Sequence, residues 1–161
     1  MTIKQNEVLP DATLFEYKDQ KINSFKLSKV IQEKKIVIFA VPGAFTPTCS
    51  EQHLPGYVSN AKNFYKKGVD ELWCLAVNDP FVMYSWGLVG KSLNSIRMVS
   101  DGNAEFTKKL GLEKDLGVIG LGLRSMRYAM VVEGGKVSSI FIEDDPGKLE
   151  KSDAQSVLAS L

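Results

Sequence analysis

The stretch Ile36–Ser50, IVIFAVPGAFTPTCS, decides how the rest of the chain is read. Its first six residues, Ile36–Val41, are apolar throughout and rich in β-branched side chains, the pattern of a strand buried on both faces. Pro42-Gly43 ends that strand. A loop runs to Thr48, and a helical pattern begins near Cys49. A buried strand feeding a helix through a short loop is the repeating unit of parallel α/β architecture.

Outward from this unit the same alternation continues. The helical pattern from Cys49 is expected to break at Pro55-Gly56, resume over Tyr57–Lys67 and stop at Gly68. Apolar strands follow at Glu71–Val77 and Ile96–Ser100, with helices at about Pro80–Lys91 and Asn103–Leu110, the second closed by Gly111. A Gly-spaced stretch (Gly117, Gly120, Gly122) has no clear element. Gly134-Gly135, between Arg127–Glu133 and Lys136–Glu143, is a strong hairpin signal. Ser152-x-x-Gln155 has the form of a capping box and predicts a final helix from Ser152. Upstream, Thr13–Tyr17 reads as a strand and Ser28–Glu33 as a short helix. Alternation implies parallel strands with crossover helices, and the hairpin adds antiparallel ones. The expected fold class is α/β, a mixed central sheet with helices on both faces, the general plan of a thioredoxin-like fold. The 161 residues show no repeat and no linker, so a single domain over residues 1–161 is expected.

Composition excludes several functions. Twenty Lys+Arg against nineteen Asp+Glu leave a net charge of +1, which removes the electrostatic case for nucleic acid or an anionic membrane as the main partner. No apolar run approaches the ~20 residues of a membrane span. Residues 1–10 contain no apolar core of a secretory signal, and on that ground a cytoplasmic location is expected. One His and two Cys are too few for a zinc site, so no metal is implied.

The chemistry concentrates in the loop after the first buried strand. A Cys in a first helical turn sees unpaired backbone N–H groups and the positive end of the helix dipole, which favour the nucleophilic thiolate. Thr46, three residues earlier, can bring its hydroxyl to that sulfur or to a small oxygen substrate beside it. Pro42 can fix the loop and exclude water. A thioredoxin-type dithiol site would read C-x-x-C here. The chain instead reads Thr46-x-x-Cys49, so the second thiol is replaced by a hydroxyl. A phosphatase-type C-x5-R cradle is absent because position 55 is Pro. A structural thiol is the competing reading of Cys49. His53, one helical turn beyond, is either packed or a weak electrostatic helper. Phe81, Tyr84 and Trp86 read as core or interface.

The pattern Pro42-x-x-x-Thr46-x-x-Cys49 resembles the peroxiredoxin active-site motif. The fuller string VPGAFTPTCS with His53-Leu54-Pro55-Gly56, the segment Trp73–Val82, the Trp86 region and Arg127–Val132 are similar to the atypical type II, or peroxiredoxin-5, group over nearly the whole chain. The resemblance implies a thiol peroxidase acting on hydrogen peroxide and small alkyl hydroperoxides, with no cofactor. It implies Cys49 as the peroxidatic cysteine, Thr46 as the hydrogen-bonding partner of peroxide and thiolate, and Pro42 as the shield of the sulfenic acid. Arg127 matches the family's active-site arginine. Arg124 is its rival; residues three apart on an extended chain face opposite ways, so only one is expected in the pocket. The group also implies a homodimer formed through surfaces beside the site.

Cys74 invites a resolving role. It lies mid-strand, four residues before Asn78, or ~13 Å below the sheet edge at 3.3 Å per residue, whereas a disulfide needs Cα atoms within ~7 Å. A buried inert thiol is therefore expected. Some members of the group carry a resolving Cys near the C-terminus, but residues 147–153 contain none. This departure favours an external reductant: glutathione, glutaredoxin or thioredoxin. A redox relay that passes oxidation from Cys49 to a partner protein is the reading from another class, and a non-enzymatic holdase is a third.

Overall fold

The computed structural model describes residues 1–161. A seven-stranded sheet is built from β1 (Thr13–Lys18), β2 (Lys21–Lys26), β3 (Lys35–Ala40), β4 (Glu71–Ala76), β5 (Arg97–Ser100), β8 (Tyr128–Glu133) and β9 (Lys136–Ile142). Their order is β2-β1-β5-β4-β3-β8-β9. The three central strands β5, β4 and β3 are parallel, and the flanking pairs are antiparallel. β6 (Glu113–Asp115) and β7 (Leu123–Ser125) form a separate small hairpin. The expected mixed sheet and thioredoxin-like plan are present.

Alternation along the central strands separates two cores. Val37, Phe39, Val41 and, from β4, Cys74 and Ala76 face α2 (Leu54–Lys66), α3 (Pro80–Val89) and α5 (Ala154–Ala159). Ile36, Ile38, Ala40, Trp73 and Leu75 face the other way, toward α1 (Leu27–Val30) and α4 (Glu105–Leu110). β3 and β4 can be apolar throughout because both of their faces are covered.

Four local expectations are corrected. Pro55-Gly56 does not interrupt the helix: Pro55 falls in the first turn of α2, where a missing N–H costs nothing. The irregularity precedes it, as a π turn over Cys49–His53 closed by Leu54 N–H donating to the Cys49 carbonyl. Ser152 does not cap the last helix. Asp153 does, its carboxylate accepting from Ser156 N at 3.1 Å. The Ser28–Glu33 helix shrinks to Leu27–Val30. β2, unread in the sequence, pairs with β1 through Asp19-Gln20, both at positive φ (54° and 63°). A primed hairpin turn made without glycine carries little sequence signal.

The candidate site lies where this topology converges. β3 ends at Ala40, which pairs with Tyr128 at the start of antiparallel β8, and Tyr128 pairs with Ile142 at the end of β9. The loop after β3, Arg127 before β8 and the segment after β9 therefore share one sheet edge, the carboxyl end of the parallel strands, where sites in such sheets collect.

Candidate active site

Cys49 is fully buried, and both hydrogen-bond partners of its sulfur are side chains. Thr46 Oγ1 lies 2.8 Å from Sγ, and Arg127 Nη2 donates to Sγ at 3.1 Å. The free amides expected from a first helical turn are not what holds the sulfur. The next amide, Ser50 N–H, is already donated to the Thr46 carbonyl at 2.9 Å. A guanidinium has taken the place of the helix end.

Thr46 Oγ1 is also 2.7 Å from the Gly43 carbonyl. One hydroxyl has one proton, so the two contacts define two states. With a neutral thiol, S–H donates to Oγ1 and O–H donates to Gly43. With a thiolate, the O–H turns to the sulfur. The loop that places Thr46 is pinned from three sides: Ala44 N donates to Asn78 Oδ1 (2.9 Å), Trp86 Nε1 to Ser50 Oγ (3.0 Å), and Thr48 Oγ1 to the Gly147 carbonyl (3.1 Å). Phe45 sits at φ 66°, a left-handed conformation costly for an aromatic residue and sustained by these anchors. Pro42 is buried at the strand end.

Arg127 is one of the largest fully buried side chains. Besides the sulfur it serves two acceptors, the Pro146 carbonyl through Nε (3.0 Å) and His53 Nδ1 through Nη1 (2.9 Å). The tautomer of His53 follows. Its Nε2 lies 3.0 Å from the Ser152 carbonyl, which can only accept, so Nε2 carries the proton and Nδ1 receives from Arg127. Burial first, and then the adjacent Arg127 charge, lower the His53 pKa from its usual 6.5 to about 3. His53 is therefore a neutral bracket for Arg127. The helper reading left open in the sequence is right in location, but the imidazole supplies no positive charge.

The segment after β9 completes the frame. The buried Glu143 carboxylate accepts from Glu150 N (3.0 Å), Lys151 N (2.8 Å), Ser152 N (2.7 Å) and Ser152 Oγ (2.8 Å). Burial opposes its ionisation, but the hydrogen bonds led by Ser152 outweigh burial and hold its pKa below the usual range. Glu143 thereby fixes the segment whose Ser152 carbonyl orients His53, and through His53 the Arg127 guanidinium. Neither Glu143 nor Ser152 was legible as a site residue.

Arg124 departs from expectation. The argument that only one of Arg124 and Arg127 could approach the site assumed one continuous strand. The chain leaves β7 at Ser125 and starts β8 at Tyr128 in another sheet, so the period-two rule does not span them. Arg124 reaches the loop: its Nη1 would sit 3.2 Å from a Cβ placed on Gly43, as would Thr46 Cγ2.

Cys74 is fully buried on β4, opposite Phe39, and both cysteines are free thiols. Burial pushes its thiol well up, with the Cys49 charge adding and Arg127 opposing. The Phe39 ring, beside Cys74 in the sheet, stacks on Tyr57 (centroids 3.9 Å) below His53. A cleft of about 590 Å³ lies at the far ends of the strands, around Glu71 and Arg97, and neither cysteine lines it.

Comparison with known proteins agrees with this fold. Residues 4–158 match the Redoxin family. The chain is 40% identical over 161 residues to peroxiredoxin-2D of Arabidopsis thaliana, covering 99% of this chain and 98% of that one. Among solved structures, reduced Prx3 of Vibrio vulnificus in complex with hydrogen peroxide superposes with a TM-score of 0.94 at 45% identity, covering 99% of each chain. A Burkholderia cenocepacia structure described as a thioredoxin reductase gives 0.97 at 48% identity, covering 100% of this chain and 99% of that one. No C-x-x-C dithiol occurs in the present sequence.

Proposed function

This chain belongs to the Redoxin family as a peroxiredoxin of the type II group, a thiol peroxidase, and from that premise we propose that Cys49 is the peroxidatic sulfur of a one-Cys enzyme recycled by an external thiol. The observation that carries the reading is the placement of the Cys49 sulfur between Thr46 Oγ1 and Arg127 Nη2, with no second thiol at the same sheet edge.

The Cys49 thiolate attacks one oxygen of hydrogen peroxide or a small alkyl hydroperoxide. A sulfur–oxygen bond forms as the O–O bond breaks. Sulfur is oxidised to the sulfenic acid, and the leaving oxygen, reduced, departs with a proton as water or an alcohol. Negative charge moves from sulfur to the leaving oxygen. Arg127, whose Nη2 already faces the sulfur, is placed to stabilise that charge without reorganising. Thr46 Oγ1 turns its proton from the Gly43 carbonyl toward the reacting atoms. Pro42, buried at the strand end, shields the sulfenic acid from bulk water. A first external thiol then condenses with the sulfenic acid, releasing water and leaving a mixed disulfide. A second thiol displaces Cys49 as thiolate. The small-thiol form of the reductant is glutathione; glutaredoxin or thioredoxin would act by the same exchange.

The intact mass after one equivalent of hydrogen peroxide tests this. One added oxygen on Cys49, converted by glutathione to a mixed disulfide or back to thiol, is the expected result. A loss of two hydrogens would mean that Cys49 pairs with Cys74 and would overturn the one-Cys cycle. The reading includes a homodimer, supported by the exposed apolar side chains Phe45, Phe81 and Leu88 beside buried Trp86; sedimentation tests it. It also includes a cytoplasmic location, which fractionation tests.

A further inference from the structure

The chain has three arginines. Arg97 is bound by two carboxylates: Glu16 accepts from its Nε at 2.9 Å and its Nη2 at 2.6 Å, and Glu71 from its Nη1 at 3.3 Å. Arg127 spends all three nitrogens on Pro146, His53 and Cys49. Arg124 differs. Its Nε donates to the Leu121 carbonyl at 2.8 Å, but neither Nη1 nor Nη2 has a protein acceptor, and it takes part in no ion pair. The Nε bond fixes the plane of the guanidinium and leaves the terminal fork free, the geometry that binds a carboxylate through two parallel hydrogen bonds.

The position of this fork is specific. Nη1 packs over Gly43, 3.2 Å from where a Cβ would stand, and Thr46 Cγ2 borders the same space at the same distance. Thr46 therefore separates two groups, with its methyl toward Arg124 and its hydroxyl 2.8 Å from the Cys49 sulfur. The half-buried guanidinium stands one side chain away from the reacting atom, on the rim of its loop.

We propose that Arg124 is a carboxylate-binding residue for the reductant, giving the enzyme preference for a low-molecular-weight thiol that carries a carboxylate a few bonds from its sulfur. The inference rests on the external-thiol cycle above. In the step concerned, the reductant's sulfur bonds to the sulfenic sulfur of Cys49, the S–O bond breaks, and the hydroxyl leaves as water with the thiol's proton. A tripeptide spans ~10 Å when extended, so glutathione can place its thiol at Cys49 while one carboxylate rests in the Arg124 fork. The peroxide is the other molecule that could bring a carboxylate. The reductant is favoured because glutathione is long enough to join the fork to the sulfur and carries two carboxylates, whereas hydrogen peroxide carries none.

The test uses the full chain oxidised with one equivalent of hydrogen peroxide. Rates of reaction with glutathione and with uncharged β-mercaptoethanol are measured for the wild type, Arg124→Ala and Arg124→Lys. The ratio of the two rates cancels any general disturbance of the site. It is expected to fall about tenfold in Arg124→Ala, as for loss of one charge-assisted contact, and to recover in part in Arg124→Lys. An unchanged ratio, with a wild type that reacts with glutathione, overturns the Arg124 assignment alone. A wild type whose sulfenic acid forms but reacts with no small thiol overturns the small-thiol form of the cycle and this inference with it, and leaves glutaredoxin or thioredoxin as the reductant. A carboxylate-bearing hydroperoxide is compared with hydrogen peroxide in parallel. Loss of preference there, with the thiol ratio intact, would assign the fork to the peroxide and overturn the proposal.

Discussion

Arg127 and His53 divide a task that one residue could not perform. The guanidinium brings charge into a buried pocket, and the imidazole, neutral and fixed by the Ser152 carbonyl, accepts from it without adding charge. Arg127→Ala is expected to slow sulfenic acid formation by about 10²–10³-fold, the usual loss when a preorganised donor leaves a developing anion; stopped-flow fluorescence with hydrogen peroxide reads it. His53 makes a separate prediction about acid stability. Its pKa is lowered to about 3 in the folded chain from the usual 6.5, so between these values only the unfolded chain holds the extra proton. Its contribution is complete above pH 6.5 and is lost as the pH falls toward 3. From pH 7 to pH 5 the chain should lose about 2 kcal/mol of unfolding free energy, at 1.36 kcal/mol per unit below pH 6.5. Urea unfolding at the two pH values measures this, and His53→Gln should flatten the difference.

At the scale of elements, the segment joining β9 to α5 is a structural support for the site rather than a simple connection. Glu143 gathers the backbone of residues 150–152, which fixes the Ser152 carbonyl that anchors His53 and, through it, Arg127. Glu143→Gln replaces one acceptor oxygen with a donor. It should cost about 2–3 kcal/mol and also slow the peroxide step by loosening Arg127. Asp153→Ala, one residue beyond the segment, removes only the cap of α5. It should cost about 1 kcal/mol, or roughly 2–4 °C in Tm, with the peroxide rate kept. Comparing thermal unfolding with the rate constant in the two variants separates support of the site from ordinary stability. These contacts also mark the limit of the sequence. β3, β4, the β8–β9 hairpin and the Thr46-x-x-Cys49 spacing were legible because each is a local pattern in one stretch of chain. The Ser152 contact with Glu143 and the approach of Arg124 to Gly43 were not, because they bring together residues 9 and 81 positions apart; the π turn is local, but its five-residue bond has no residue pattern that sets it apart from an ordinary helical turn. The cap at Asp153 was missed by one residue, since Ser152 is an equally good capping type and only its capture by Glu143 decides between them.

At the scale of the whole molecule, the two cysteines occupy different depths of the same core. The sheet edge holds Cys49 in a polar network, and the sheet interior holds Cys74 opposite Phe39 among apolar side chains. Its thiol is pushed well up by burial, so little of it is the nucleophilic thiolate. Joining the two sulfurs would require Cys49 to leave the contacts with Thr46 and Arg127, or β4 to leave the centre of the sheet. The second would disrupt both flanking ladders, to β3 and to β5. Cys74→Ala should therefore cost only about 1–2 kcal/mol, through the small cavity it leaves, and should retain turnover with glutathione and the single-oxygen mass increment. Cys49→Ser should remove turnover while the protein stays folded. Steady-state peroxide consumption by the two variants, with circular dichroism to confirm folding, measures both. If Cys74→Ala lost turnover while folded, the enzyme would be running a dithiol cycle, and the sheet centre would have to open during catalysis.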